Sequence, residues 1–182
     1  GELSNLSIGS EGIGAIEDSK HPKLVSYINE GLLRLYSRFI LRENDVIIQL
    51  HDFITEYYLL KQNSIMNEDP LPEQTLYILD YPASPFDDDL IKVLRVTDAE
   101  GNVQILNDIE HDKSLFTPQP NVLQVPFPIQ DVILGVVYQA RHKLLTADDL
   151  DAEIILPVVL QGALQAYVAY KVFFHMGGQD NA

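Results

Sequence analysis

The longest run of apolar positions in the chain, Ile154 to Met176, predicts a long helix. Pro157 stands where a first helical turn tolerates a missing backbone N–H. Gly177-Gly178 supplies the stop signal at the other end. Such a helix is apolar on most sides, so we expect other parts of the protein, or neighbouring subunits, to cover most of its surface.

A row of small residues crosses this predicted helix at helical spacing and allows another backbone to approach closely. The row consists of Gly162, Ala166 and Ala169. Two Gln, one Lys and two Tyr interrupt the apolar run, which argues against a membrane-spanning helix. We therefore interpret the segment as a core helix, with the row as a helix-packing or interface candidate.

An earlier helix is predicted over Pro22–Phe39, where apolar residues recur on one face with a period of 3.6. Ser19 is a candidate N-cap. Gly31 falls in the apolar stripe and is a further helix-packing candidate, because it permits a close crossing by the second helix. Glu30 and Arg34 share a solvated face at a spacing that allows an ion pair.

The segment between the helices is rich in β-branched and aromatic residues in short runs. Asp45–Leu60 predicts two short strands joined by a turn at His51-Asp52. Gly101 is available for positive φ in a hairpin turn. Polar loops are predicted at Lys61–Pro72 and Asn107–Asn121. The remaining strand candidates are Thr75–Leu79, Leu90–Val96, Val103–Leu106, Val122–Val125 and Ile133–Arg141. In the last of these, alternation places four residues on one face: Leu134, Val136, Tyr138 and Ala140.

This order predicts an α+β fold in which the N-terminal helix and the long C-terminal helix pack together. An antiparallel sheet of about six strands is inserted between them. Residues 1–20 are interpreted as an extended arm, which is either a docking arm for a partner or a flexible terminus without a role. Residues 21–178 are interpreted as one domain, and residues 179–182 as a short tail.

Charge narrows the classes of function. The chain of 182 residues carries 27 Asp and Glu against 12 Lys and Arg, a formal net charge of −15. Reading a nucleic-acid groove requires basic patches, so this composition argues against such a role. The chain has no cysteine, which excludes disulfides and thiol chemistry. Its histidines show no zinc-binding spacing.

The order and spacing of several stretches resemble the head-to-tail adaptor proteins of tailed bacteriophages, of the podophage tail tubular protein A type. Such adaptors follow a Tyr-x-Ala strand with Leu-Pro and a helix carrying Tyr-x-x-Tyr. Tyr138-Gln139-Ala140, Leu156-Pro157 and the pair Tyr167 and Tyr170 match that order. The other stretches are KLVSYINEGLLRLYSRF, Ile54–Leu59, LIKVLRVTDAEGNVQIL and VILGVVYQARHKLL.

The resemblance implies a homo-oligomeric ring of twelve copies, which joins the portal protein to the tail or nozzle protein. It implies a virion protein at the head–tail junction, assembled in the host cytoplasm, with no cofactor, no metal, no catalysed reaction and no membrane. DNA would pass through the channel without specific binding, since carboxylates repel phosphates. The candidates for an acidic channel lining are Glu68, Asp69, Asp87, Asp88, Asp89, Asp148 and Asp149.

Two other classes stay open at this point. One is a monomeric β-rich binding module, and the other is a small hydrolase. The sequence lacks the Gly-x-Ser-x-Gly, P-loop, His-Glu-x-x-His and dinucleotide fingerprints. Glu110-His111-Asp112 invites a metal or acid–base interpretation, but three adjacent side chains cannot all point at one ion in regular structure.

Overall fold

The computed structural model describes residues 20–148 and 153–176. Most of the predicted arm, Ser19, Asp149, the Gly177-Gly178 stop and the predicted tail lie outside the described residues. The chain forms two compact units. Within the described residues, the first unit combines 20–39 with 142–148 and 153–176, and the second is the continuous segment 40–141.

The fold is α+β, as the sequence predicts, with two helices and six strands in the described residues. The six strands form two antiparallel three-stranded sheets. A short 3-10 helix spans Lys61–Asn63. In chain order the elements are α1 (His21–Arg38), β1 (Glu43–Gln49), β2 (Glu56–Tyr58), β3 (Leu90–Thr97), β4 (Phe116–Gln119), β5 (Val122–Gln124), β6 (Ile133–Ala140) and α2 (Val158–Met176).

Helix α1 begins one residue before Pro22 and buries the face that its apolar period predicts. Lys20 occupies the N-cap position and makes no side-chain capping bond. The helix ends where the Phe39 amide donates to Leu35 O over 2.9 Å, and the chain then becomes extended. Six residues on its inner face are buried: Leu24, Val25, Tyr27, Gly31, Leu32 and Tyr36.

The first sheet has the strand order β1-β6-β3, so β6 is its centre. Alternate residues of β6 face the core, as the sequence predicts. Val136 is fully buried and pairs with Val46 of β1 and Val96 of β3. The inward side chains of β6 are Leu134, Val136, Tyr138 and Ala140, all at most 5% exposed.

The second sheet has the strand order β2-β5-β4. Strand β4 lies inside the segment that the sequence analysis assigned to a polar loop. Its four residues, Phe116–Gln119, include polar Thr117 and Gln119 and also Pro118, so no hydrophobicity pattern marks the strand. Only two residues separate Gln119 from Val122, and that two-residue connection is the hairpin signal that was missed.

Three local predictions have different outcomes. The turn at His51-Asp52 is confirmed, since the Ile54 amide donates to His51 O over 3.0 Å, but β1 and β2 belong to different sheets and form no hairpin. The hairpin turn with Gly101 at φ 86° is also confirmed. The strands predicted at Thr75–Leu79 and Val103–Leu106 are reduced to isolated bridges.

Candidate interaction surface

The two helices of the first unit approach each other closely at Gly31. A Cβ atom on this residue would stand 2.6 Å from Leu164 Cδ1 and 3.0 Å from Tyr167 Cδ1. Leu164 and Val168 are 4% and 5% exposed, so they form the buried face of α2. A side chain at position 31 would therefore force Leu164 of α2 to move.

A polar cluster closes one edge of the helix pair. Lys171 of α2 lies 2.9 Å from a Glu30 carboxylate oxygen, and Arg34 lies 3.0 Å from the other. Both cations also stand over the Tyr167 ring, at 5.5 Å for Lys171 and 5.2 Å for Arg34. The nearby Tyr167 hydroxyl, then Lys171 and Arg34, lower the pKa of Glu30 from 4.5 to about 2.

Side chains of α1 hold the segment that leads into α2 by hydrogen bonds to its main chain. Asn29 donates to Leu145 O over 2.8 Å and accepts from the Leu145 amide over 3.0 Å. The Tyr36 hydroxyl donates to Ile155 O over 2.7 Å. These bonds and the polar cluster determine which side of α2 faces α1.

The opposite side of α2 is exposed and apolar, and we call it the outer face. Lys171 is the only Lys, Arg, Asp or Glu between residues 158 and 174, and its partner is Glu30 on α1. The large side chains of the outer face are Val158 (81% exposed), Val159 (84%), Tyr170 (54%), Phe173 (80%) and Phe174 (64%). An exposed apolar face of this extent marks an interaction site, because water-soluble monomers seldom leave so much apolar surface uncovered.

The row of small residues lies on this outer face. Gly162, Ala166 and Ala169 are exposed, and a Cβ at Gly162 would meet no atom within 4 Å. The expectation that this row receives α1 is therefore wrong. The reason is that Lys171 and Leu164, at the positions that contact α1, lie on the other side of the helix. The row stays an interface candidate, directed at something other than α1.

A second exposed apolar patch lies at one end of the second unit, and we call it the β-tip patch. It consists of Phe53 (70% exposed), Phe127 (78%) and Ile129 (66%). The two segments that carry it run side by side, since Asp52 N donates to Gln130 Oε1 over 3.2 Å and Val125 N to Thr55 O over 2.8 Å. These residues were not predicted as a site, although Phe127 between Pro126 and Pro128 was a usable signal in the sequence.

The acidic candidates are dispersed over the described chain. Glu68, Asp69, Asp87, Asp88 and Asp148 are exposed, whereas Asp149 lies outside the described residues. Asp88 is bound to the start of the 3-10 helix, since its carboxylate accepts from the Lys61 amide over 2.5 Å. The Lys61 ammonium lies 3.6 Å from Asp87.

Asp89 requires a correction, because it is 6% exposed and is not available to line a channel. It accepts a hydrogen bond of 2.6 Å from the Tyr138 hydroxyl and lies 3.5 Å from Arg42. Burial, together with this hydrogen bond to Asp89, raises the pKa of the Tyr138 hydroxyl. The third carboxylate of the Asp87-Asp88-Asp89 run is thus a core residue of the second unit.

The groups that invite a catalytic or metal-binding interpretation serve local structure. His111 Nδ1 accepts from the Lys113 amide over 3.2 Å in an exposed turn. Buried Asp80 accepts from the Ser64 hydroxyl and, over 2.9 Å, from the Phe86 amide, and so connects three loop segments. Among residues 20–148 and 153–176, no three His, Asp or Glu side chains are grouped so that they could hold a metal ion.

Comparisons with known proteins do not define a class. No protein family matches the chain, and no curated protein is significantly similar to it. In the described part of the chain, no helix has the length and apolar character needed to cross a membrane. The two exposed apolar surfaces are consequently the functional features that the geometry itself provides.

Proposed function

We propose that this protein is a ring-forming head-to-tail adaptor of a tailed bacteriophage, which joins the portal to the tail or nozzle. The observation that carries the proposal is the outer face of α2, where five large apolar side chains are more than half exposed. A surface of this kind needs a protein partner. The order of elements shared with the podophage adaptors supports the same class.

The distribution of apolar surface supports a subunit with more than one protein neighbour. The outer face belongs to the first unit and the β-tip patch to the second. A ring subunit in the head–tail junction needs one surface for adjacent copies and another for the next component of the particle. Head-to-tail contacts that close under rotation generate such a ring. We assign the β-tip patch to the neighbouring component, because it sits on loops that can adapt to a different protein.

The charge of the chain supports passage of DNA without binding. A net charge of −15 repels phosphates, and Glu68, Asp69, Asp87, Asp88 and Asp148 are exposed. A bore that contacted phosphates through Lys and Arg would hold the genome with salt-dependent affinity. An acidic lining avoids this attachment.

Electron microscopy of the chain mixed with the portal protein of the same phage tests the proposal. We expect rings with twelve copies of the chain added to one face of the portal. Free portal rings at saturating chain concentration would contradict the adaptor function and favour the monomeric binding module. The double variant Phe53→Ser with Phe127→Ser should lose binding to one of the two neighbouring components, the portal or the tail protein. Leu71→Ser, a residue equally exposed at 73%, is the matched control and should keep both contacts.

A further inference from the structure

The side chains of the outer face are arranged symmetrically about Ala166. Val159 lies seven residues before Ala166 and Phe173 seven after it. Val158 and Phe174 lie eight residues before and after. Because a helix rises 1.5 Å per residue, two antiparallel copies that cross at Ala166 would place these valines level with the partner's phenylalanines.

The same arrangement alternates large and small side chains in the middle of the face. Gly162 lies four residues before Ala166, and Tyr170 lies four residues after it. An antiparallel crossing therefore places Tyr170 of one copy beside Gly162 of the other. There is space at Gly162, because a Cβ added to it would meet no atom within 4 Å. A parallel crossing would instead place Phe173 level with Phe173 and Gly162 level with Gly162, and would fill the space unevenly.

We infer that the outer face of α2 pairs with the same face of a second copy, antiparallel, with the two-fold axis at Ala166. The contact is isologous, so each chain contributes the same residues and the pair closes on itself. The face bears no charged side chain, which matters because two chains of net charge −15 otherwise repel each other. Its large side chains expose several hundred Å², on the order of the 800 Å² that one partner contributes to a standard interface.

This pairing goes beyond the proposed adaptor function and does not depend on it. A rotational ring cannot use a two-fold contact at the same face between adjacent copies, so the pair is a form of the free chain. Pairing covers the apolar face in the absence of other partners, and it must dissociate before any partner uses that face. The portal experiment and the pairing experiment can therefore fail separately.

Light scattering on the full chain, with variants on α2, tests the inference. We expect the mass of two 20.5 kDa chains at micromolar concentration. Ala166→Glu should raise the dissociation constant at least about 100-fold, since it buries two like charges at the axis. Gln165→Glu adds the same charge at an exposed neighbouring position and should leave the dimer intact. Far-UV circular dichroism of each variant should match that of the parent chain.

Disulfide trapping tests the antiparallel register, since the chain has no cysteine of its own. A166C should form a covalent dimer on mild oxidation, because a residue on the two-fold axis lies next to the same residue of the second copy. V159C alone should not, whereas V159C combined with F173C should. A monomer, a trimer or larger oligomer of the free chain, or a dimer that survives Ala166→Glu would overturn the inference. Efficient cross-linking of V159C alone would replace the antiparallel pair with a parallel one.

Discussion

Gly31 of α1 and Leu164 of α2 lie so close together that a methyl group on Gly31 would stand 2.6 Å from Leu164 Cδ1. Alanine normally stabilises a helix by about 0.5–1 kcal/mol relative to glycine. At Gly31 this gain is opposed by overpacking against two side chains of α2, which costs about 1–3 kcal/mol. We expect Gly31→Ala to lower the free energy of unfolding, as measured by urea denaturation at a concentration where the chain is monomeric.

Gly162 provides the matched control, because an added Cβ there meets nothing within 4 Å. Gly162→Ala should raise the free energy of unfolding of the monomer by about 0.5–1 kcal/mol. Equal effects of the two substitutions would contradict the close approach of α1 and α2. Ala166→Leu should change the free energy of unfolding of the monomer very little, because Ala166 is exposed. If the row of small residues were buried, the larger side chain would destabilise the protein.

The carboxylate of Glu30 should make the stability of the helix pair depend on pH. Its pKa is lowered from 4.5 to about 2 by the Tyr167 hydroxyl, Lys171 and Arg34. A carboxylate with a lowered pKa contributes stability above its unfolded pKa and loses it as the pH falls through the folded pKa. Thermal unfolding between pH 7 and pH 2 should therefore show a smaller loss for Glu30→Gln than for the parent chain.

Glu110→Gln is the control for that measurement, since Glu110 is exposed on a loop of the other unit. Its acid profile should follow that of the parent chain. If Glu30→Gln and the parent lost stability in parallel from pH 5 to pH 2, the polar cluster at the helix edge would not determine the pH dependence.

Removing the Tyr138 hydroxyl should destabilise the second unit. Tyr138→Phe deprives the buried Asp89 of a 2.6 Å hydrogen bond, and the loss of a partner from a buried polar group costs about 1–3 kcal/mol. Tyr58→Phe, whose hydroxyl donates to exposed Glu56 over 3.2 Å, should change stability by less than about 0.5 kcal/mol. Denaturant unfolding of both variants distinguishes a buried hydrogen bond from a surface one.

The isolated chain should not bind double-stranded DNA at physiological salt. The formal charge of −15 repels phosphates, and the few basic residues occur on elements of both units. Fluorescence anisotropy with a labelled duplex measures this directly. Binding that weakens steeply with added salt would show a basic surface and would contradict an acidic bore.

The regular elements were predictable because their residues repeat with the period of the structure they form. Pro22–Phe39 predicts α1 to within one residue at each end, and Ile133–Arg141 predicts β6 with its inward face. Strand β4 was not predictable by hydrophobicity, since it has only four residues and two of them, Thr117 and Gln119, are polar. Pairing with β5, a tertiary contact, defines it instead.

The candidate surface was predictable only in part. The apolar composition of residues 154–176 indicates that more than one side of α2 needs cover. The sequence alone does not tell which side α1 takes, because small and large apolar residues alternate around the helix. In the structure, the side towards α1 carries buried Leu164 and Val168, with Lys171 paired to Glu30 at its edge. The burial of Asp89 was likewise not predictable from the sequence. It is one of three adjacent carboxylates, and only the structure shows that it accepts a buried hydrogen bond from Tyr138.

Strand β3 forms one edge of the first sheet, and its pairing with β6 slips in register after Leu90 and again after Val93. Beyond that, Thr97 bridges to Val103, and the Gln104 amide donates to Val96 O over 2.8 Å. A kinked, partly occupied edge is a poor template for a strand from another molecule. Copies of the chain are thereby protected from edge-to-edge aggregation on this side of the sheet.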